Sequence, residues 1–254
     1  MEFGFCGKPD QMKQAAEAGF DYLEMPVSFL AGLTEEEFEM VRGKAKEANL
    51  PTPSFNVLFP GSIRLLDPSL TRETLLEYLD PALSRVQRLD GRIVVFGSGG
   101  SRRRPEGMPF DEAFRRLTEV TRWIGDCAEK HGLTVAIEPL NRAETNMINS
   151  VGEGACLRAA ANHPRVNLLA DYYHIAREGE PAGDLARVGG IVHAHIAASE
   201  TRRAPLEKED GLRQMFAAMK MTGYQGRISV EGGCDLPAEG AASVRMLREL
   251  WEET

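Results

Sequence analysis

Four short apolar runs in the second half of the chain each lead into a side chain able to bind a metal ion. Thr134-Val-Ala-Ile leads into Glu138, Val166-Asn-Leu-Leu-Ala into Asp171, Ile191-Val-His-Ala into His195, and Arg227-Ile-Ser-Val into Glu231. Singly, each has an ordinary explanation. A carboxylate after an apolar strand is commonly a helix cap or half of an ion pair, and a histidine there is commonly a hydrogen-bonded core residue. Four at matching ends of consecutive strands are hard to explain as independent accidents. If those ends share one mouth, three carboxylates face each other and repel unless a cation sits between them. Oxygen-rich donors with one imidazole suit Mn2+, Mg2+, Co2+ or Zn2+, and the set does not choose among them.

Such a site needs a frame that brings strand ends together. Eight apolar runs with strand character alternate with longer amphipathic stretches. The strands are expected at Glu2–Phe5, Tyr22–Met25, Pro53–Val57, Arg92–Phe96, Thr134–Glu138, Val166–Ala170, Ile191–Ile196 and Arg227–Glu231. Helices are expected over Asp10–Ala18, from Thr34 to Ala48, Thr71–Leu89, Asp111–Lys130, Ser150 to Ala161, Leu206–Met221 and Gly240–Glu252. Thr34-Glu35-Glu36-Glu37 and Ser150-Val151-Gly152-Glu153 carry the spacing of a capping box. Pro9 before the first helix and Gly19 after it follow the start and stop asymmetry of helices.

Strand and helix repeated eight times in 254 residues imply parallel strands with helical crossovers. That length and repeat fit one α/β domain over 1–254, a (β/α)8 TIM barrel, whose chemistry collects at the C-terminal strand ends. An open doubly wound sheet usually carries a glycine-rich phosphate turn after its first strand, and Phe5-Cys6-Gly7-Lys8-Pro9 lacks one.

The composition excludes other classes. Hydrophobic residues make up 43% and charged residues 27%, which argues against disorder. A net charge of −8 disfavours nucleic acid as a partner. The basic run Ser101-Arg102-Arg103-Arg104-Pro105 reads as a solvated loop, or else as a clamp on an anionic substrate or a subunit contact. No apolar run approaches the ~20 residues of a membrane span, and the N-terminus has no signal-peptide pattern. Cys6, Cys127, Cys156 and Cys234 lack metal-finger or redox spacing and read as reduced thiols of a cytoplasmic protein.

Beyond these readings, the chain resembles the xylose isomerase-like TIM barrel superfamily, in its ketose 3-epimerase and hydroxypyruvate isomerase branch. The resemblance spans nearly the whole chain. Its most specific segment is Ile137-Glu138-Pro139-Leu140-Asn141-Arg142-Ala143-Glu144. It implies that Glu138 is a metal ligand and that Glu144 contacts substrate. Asp171-Tyr172-Tyr173-His174 matches an aspartate ligand followed by a substrate-contacting histidine. His193-Ala194-His195 matches a segment whose second histidine binds metal, and Val230-Glu231 matches a closing glutamate ligand. The family commonly has a substrate arginine about six residues after that histidine, in a loop ending in Pro-Gly. Here Arg202 and Arg203 stand seven and eight residues on, before Ala204-Pro205-Leu206, and Arg202 is preferred. His193 points into the barrel like His195, but deeper, and reads as a buried structural residue.

The resemblance implies one divalent metal and a small sugar as substrate. A bound ion would act as a Lewis acid on the carbonyl and stabilise an enediolate while a carboxylate removes the adjacent proton. Glu138 and Glu231 are the acid/base candidates, one on each face for an epimerase. A dehydratase of a keto-polyol would share the proton abstraction. An endonuclease-like barrel needs more histidines than the five present, and a non-catalytic sugar binder has no need of three converging carboxylates. Glu24, Asn56 and Arg102 are nominated for the far side of the pocket, with barrel packing or surface exposure as their ordinary readings. Barrels of this kind often pair through helices and late loops, so a homo-oligomer is compatible with the sequence.

Overall fold

The computed structural model describes residues 1–254. Its strands are β1 (Phe3–Cys6), β2 (Tyr22–Pro26), β3 (Ser54–Asn56), β4 (Ile93–Phe96), β5 (Thr134–Ile137), β6 (Val166–Asp171), β7 (Ile191–Ile196) and β8 (Arg227–Val230). All pair in parallel and in chain order, and β8 returns to β1 through Phe3–Ile228, Gly4–Ser229 and Phe5–Val230. The expected (β/α)8 barrel is the observed fold. Closure leaves no strand edge open.

Helices α1 (Met12–Ala18), α2 (Val27–Ala31), α3 (Glu35–Ala48), α4 (Arg72–Arg88), α5 (Phe110–Lys130), α6 (Val151–Ala161), α7 (Tyr172–Glu178), α8 (Asp184–Val188), α9 (Asp210–Met221) and α10 (Ala241–Glu253) cover the outside. The Thr34 box forms: Glu37 N–H donates to Thr34 Oγ1 at 3.2 Å, and Thr34 N–H to Glu37 Oε2 at 2.7 Å. At Ser150 only half of the box forms. Ser150 Oγ accepts from Glu153 N–H at 3.1 Å, but the Glu153 carboxylate takes Asn149 N–H instead. No helix is long and apolar enough to cross a membrane.

Helix α9 begins at Asp210, four residues later than its composition suggests. Glu209 is held extended because its carboxylate accepts from Ser199 N–H and from the Tyr172 hydroxyl. Helices α2, α7 and α8 are too short, at five to seven residues, to impose a hydrophobic period on the sequence.

The barrel lumen has two characters. Val95, Ala136 and Leu169 fill one side as a small apolar cluster, separate from the larger core between barrel and helices. The other side is polar. Glu24 on β2 reaches His193 on β7 at 2.7 Å, and the Tyr22 hydroxyl on β2 reaches Ser229 on β8 at 2.8 Å. Those strands are not neighbours, so these bonds run across the lumen. Gly4 makes room for the Tyr22 ring, since a Cβ on it would lie 2.1 Å from that ring. This floor fixes what stands above it at the mouth.

Candidate metal centre and substrate pocket

Glu138 follows β5 directly, Asp171 ends β6, His195 is next to last in β7, and Glu231 follows β8. One donor atom from each lies within 4.8 Å of the others. Asp171 and His195 are partners in the β6–β7 register, and strand alternation aims both inward. His195 is wholly buried, and Glu138 and Asp171 are buried with it. Glu231 is partly open to the mouth.

His195 organises the group. Its Nε2–H donates to Glu24 Oε1 at 3.0 Å, so its Nδ1 faces the three carboxylates: Glu138 Oε1 at 3.0 Å, Glu231 Oε2 at 3.6 Å and Asp171 Oδ2 at 4.0 Å. Glu24 is wholly buried and also accepts from His193 Nε2–H at 2.7 Å, Ser54 Oγ–H at 3.0 Å and Ser229 Oγ–H at 2.5 Å. It therefore lies beneath the centre and orients a donor rather than lining the far side of the pocket. Asn56 does reach the centre, donating from Nδ2 to Glu231 Oε1 at 2.8 Å. Cys6, at the end of β1, places its thiol within 4.8 Å of Glu24 and His195; nothing in the sequence pattern pointed to it.

The electrostatics describe a site built around a positive charge. Burial and then the neighbouring Glu231 raise the Glu138 carboxyl, and the same two causes push Asp171 up to about 6. Glu231 is lowered despite burial, because His195 and Asn56 stabilise its anion. Burial alone would depress His195, but Glu24 and then Glu231 hold it well above an ordinary histidine. Glu24, likewise raised by burial, is pulled well below the carboxylate range by His193 and His195. Three crowded carboxylates repel one another unless a cation stands among them.

The donor set fits a divalent ion. Three carboxylate oxygens and one imidazole nitrogen converge, the opposite nitrogen is fixed by a buried carboxylate, and Gly97 opens the space Glu138 needs. A Cβ on Gly97 would lie 2.0 Å from Glu138 Oε2.

A second layer of polar groups rims this centre. Asp171 caps α7, its Oδ1 accepting from His174 N–H at 3.1 Å, which brings His174 over the mouth. His174 Nδ1 accepts from Asn141 N–H at 3.2 Å and from Asn141 Nδ2 at 2.8 Å. Its proton therefore sits on Nε2, a buried donor without a protein partner. Burial lowers the His174 pKa, which keeps this neutral tautomer. Glu144 Oε1 accepts from Asn141 Nδ2 at 3.0 Å and from Arg202 Nη1 at 2.6 Å.

The structure separates the two arginines. Arg202 adopts a left-handed backbone (φ 52°), lies over the Tyr173 ring at 4.8 Å, and brings Nη2 to 3.9 Å from Glu231. Arg203 turns outward to Glu239 at 2.8 Å. The basic run is not a solvated loop throughout. Arg102 is wholly buried with both Nη groups on backbone carbonyls and its Nε without a partner, Arg103 donates to Glu144 O, and Arg104 donates to Met108 O.

A closed barrel of parallel strands with a carboxylate-lined mouth defines an α/β barrel of metal-site architecture. The chain belongs to the xylose isomerase-like TIM barrel family, whose model matches residues 12–250. It is 31% identical to the L-ribulose 3-epimerase of Methylomonas sp., over 91% of this chain and 80% of that one. It is 24% identical to the D-psicose 3-epimerase of Agrobacterium fabrum, over 94% of this chain and 84% of that one. Among solved structures, D-psicose 3-epimerase with D-tagatose from Clostridium cellulolyticum shares the fold with a TM-score of 0.82 at 19% identity, covering 99% of this chain and 92% of that one.

Proposed function

We propose that the protein is a divalent-metal-dependent isomerase or epimerase of a small keto-sugar, and within that class a ketose 3-epimerase. Glu138, Asp171, His195 and Glu231 hold one ion, for which Mn2+, Mg2+, Co2+ and Zn2+ are all chemically suited. A bound ion would supply Lewis-acid polarisation of the substrate carbonyl. The observation that carries the reading is the pairing of Glu138 and Glu231. They come from β5 and β8, and both face His195 Nδ1, at 3.0 and 3.6 Å. The 3-epimerase names of the L-ribulose and D-psicose relatives support inversion at C3.

Each residue then has a task. One glutamate takes the proton from the carbon beside the carbonyl, and the other returns a proton to the opposite face. His174 Nε2–H donates to a substrate oxygen. Arg202 and Glu144, linked to each other, bind hydroxyls farther out. The buried floor of Glu24, His193 and Ser229 keeps water away from below. Four free cysteines support the reading of a cytoplasmic protein.

The test is a panel of ketopentoses and ketohexoses with the protein reconstituted in Mn2+, Mg2+ or Co2+. The expected product is the C3 epimer, lost in Glu138→Gln and in Glu231→Gln while both variants keep the wild-type fold by circular dichroism. A dehydrated product would favour the keto-polyol dehydratase, and full activity in both variants would refute the acid/base assignment.

A further inference from the structure

Arg102 is the largest wholly buried side chain of the protein. Burial lowers the pKa of its guanidinium to about 10, and both Nη groups find acceptors while the buried Nε has none. Its partners are three backbone carbonyls. Nη1 donates to Phe96 O at 3.0 Å, while Nη2 donates to Glu138 O at 2.6 Å and, at longer range, to Ile148 O at 3.4 Å. These acceptors belong to the end of β4, the residue after β5, and the return of the loop that carries Asn141 and Glu144. The same Ile148 carbonyl accepts from Leu140 N–H at 3.1 Å. Ile148 is buried and β-branched, yet has a left-handed backbone at φ 61°. Such a conformation persists only where its surroundings over-determine it.

We propose that Arg102 is a positioning residue for the reaction: its fork clamps both ends of the Glu138–Ile148 segment and so fixes where the Glu138 carboxylate stands. The inference rests on Glu138 as ligand and acid/base. It assigns the basic run a purpose distinct from contact with substrate. Three carbonyls from separate segments call for a planar fork, and an ammonium offers no such span. Asn149 is a natural control. Its Nδ2 closes the same loop by donating to Leu140 O at 2.7 Å and Thr145 O at 3.1 Å, without touching Glu138.

The experiment compares Arg102→Lys and Asn149→Ala in three readouts: steady-state kinetics on a ketose the wild type turns over, Mn2+ affinity by electron paramagnetic resonance, and hydrogen exchange over residues 138–149. Arg102→Lys should lower kcat about 100-fold, as a misplacement near 1 Å does. It should weaken Mn2+ binding about 10-fold or more, leave KM within about threefold and speed exchange over the segment. Asn149→Ala should raise KM through the Glu144 end of the loop while kcat and Mn2+ affinity stay within about threefold. If Arg102→Lys lacks a cooperative thermal transition, Arg102→Gln replaces it, since its amide keeps two donors. Wild-type kcat and Mn2+ affinity in the Arg102 variant would overturn the proposal, as would the two variants moving kcat and KM alike. Mn2+ affinity and exchange need no substrate. If the wild type turns over no ketose, the proposed function fails, while these two readouts still decide the role of Arg102.

Discussion

His195 Nε2 lies 3.0 Å from Glu24 Oε1, a contact that spans the lumen from β7 to β2 and leaves Nδ1 as the nitrogen facing the carboxylates. A carboxylate behind a ligating imidazole fixes its tautomer and raises its basicity, and losing it typically costs about 10- to 100-fold in metal affinity. Glu24→Gln keeps the volume but cannot accept charge-assisted bonds from both His193 and His195. Mn2+ titration should therefore show at least a 10-fold weaker site, with a lowered melting temperature. Unchanged affinity would mean that Glu24 is only packing.

Asp171 predicts how the metal-free protein responds to pH. Its carboxyl is raised to about 6 from an unfolded value near 3.8, by burial and then Glu231. The folded state therefore binds more protons than the unfolded one between those values, and this group's contribution to stability is lost as pH rises through the window. Asp171→Asn removes the titration and keeps the cap on α7, since asparagine caps as well as aspartate. In chelator, the variant should match wild type near pH 4 and be more stable at pH 7.5, by on the order of 2 kcal/mol or about 5 °C. Adding Mn2+ should reverse the ranking at pH 7.5. A variant less stable than chelated wild type at pH 7.5 would contradict the picture of crowded, unneutralised carboxylates.

Gly97 has no side chain because the Glu138 carboxylate occupies that space, 2.0 Å from where a Cβ would stand. Gly97→Ala should displace the carboxylate rather than the strand, since only the end of a flexible side chain must move. We expect kcat and Mn2+ affinity to fall by about 10-fold or more, as for a misplaced reacting group, with a melting temperature close to wild type. Kinetics and thermal denaturation on one preparation separate the two effects.

Arg202 and Arg203 are adjacent in sequence but face different ways. Arg202→Ala removes the partner of Glu144 and the cation over Tyr173, and should raise KM by about 10-fold or more, the cost of a charge-assisted bond. Arg203→Ala loses only an exposed pair with Glu239, worth at most about 1 kcal/mol, and should leave KM unchanged. Equal effects on KM would show that the loop after β7 does not distinguish them.

The eight strands were legible from apolar runs alternating with amphipathic stretches, and the four residues at the ends of β5 to β8 because each of those runs stops at an ionisable side chain. Tertiary contacts account for what was missed. Glu24 stands inside an apolar strand, and no local pattern announces that two histidines from β7 will meet it. Asp171-Tyr172-Tyr173-His174 reads as strand and loop, yet the aspartate also caps a seven-residue helix that carries His174. The arginine run looks solvated by composition. Only the fold shows that Arg102 points inward to carbonyls at the ends of β4 and β5.

In the proposed reaction Glu138 and Glu231 move a proton at the carbon beside a ketose carbonyl. The direct measurement is proton nuclear magnetic resonance of the sugar in deuterium oxide with the Mg2+-loaded protein. Deuterium is expected at C3 in the epimerised product, and none there with Glu138→Gln or Glu231→Gln. Epimerisation without solvent deuterium at C3, or exchange that survives in both variants, would contradict it.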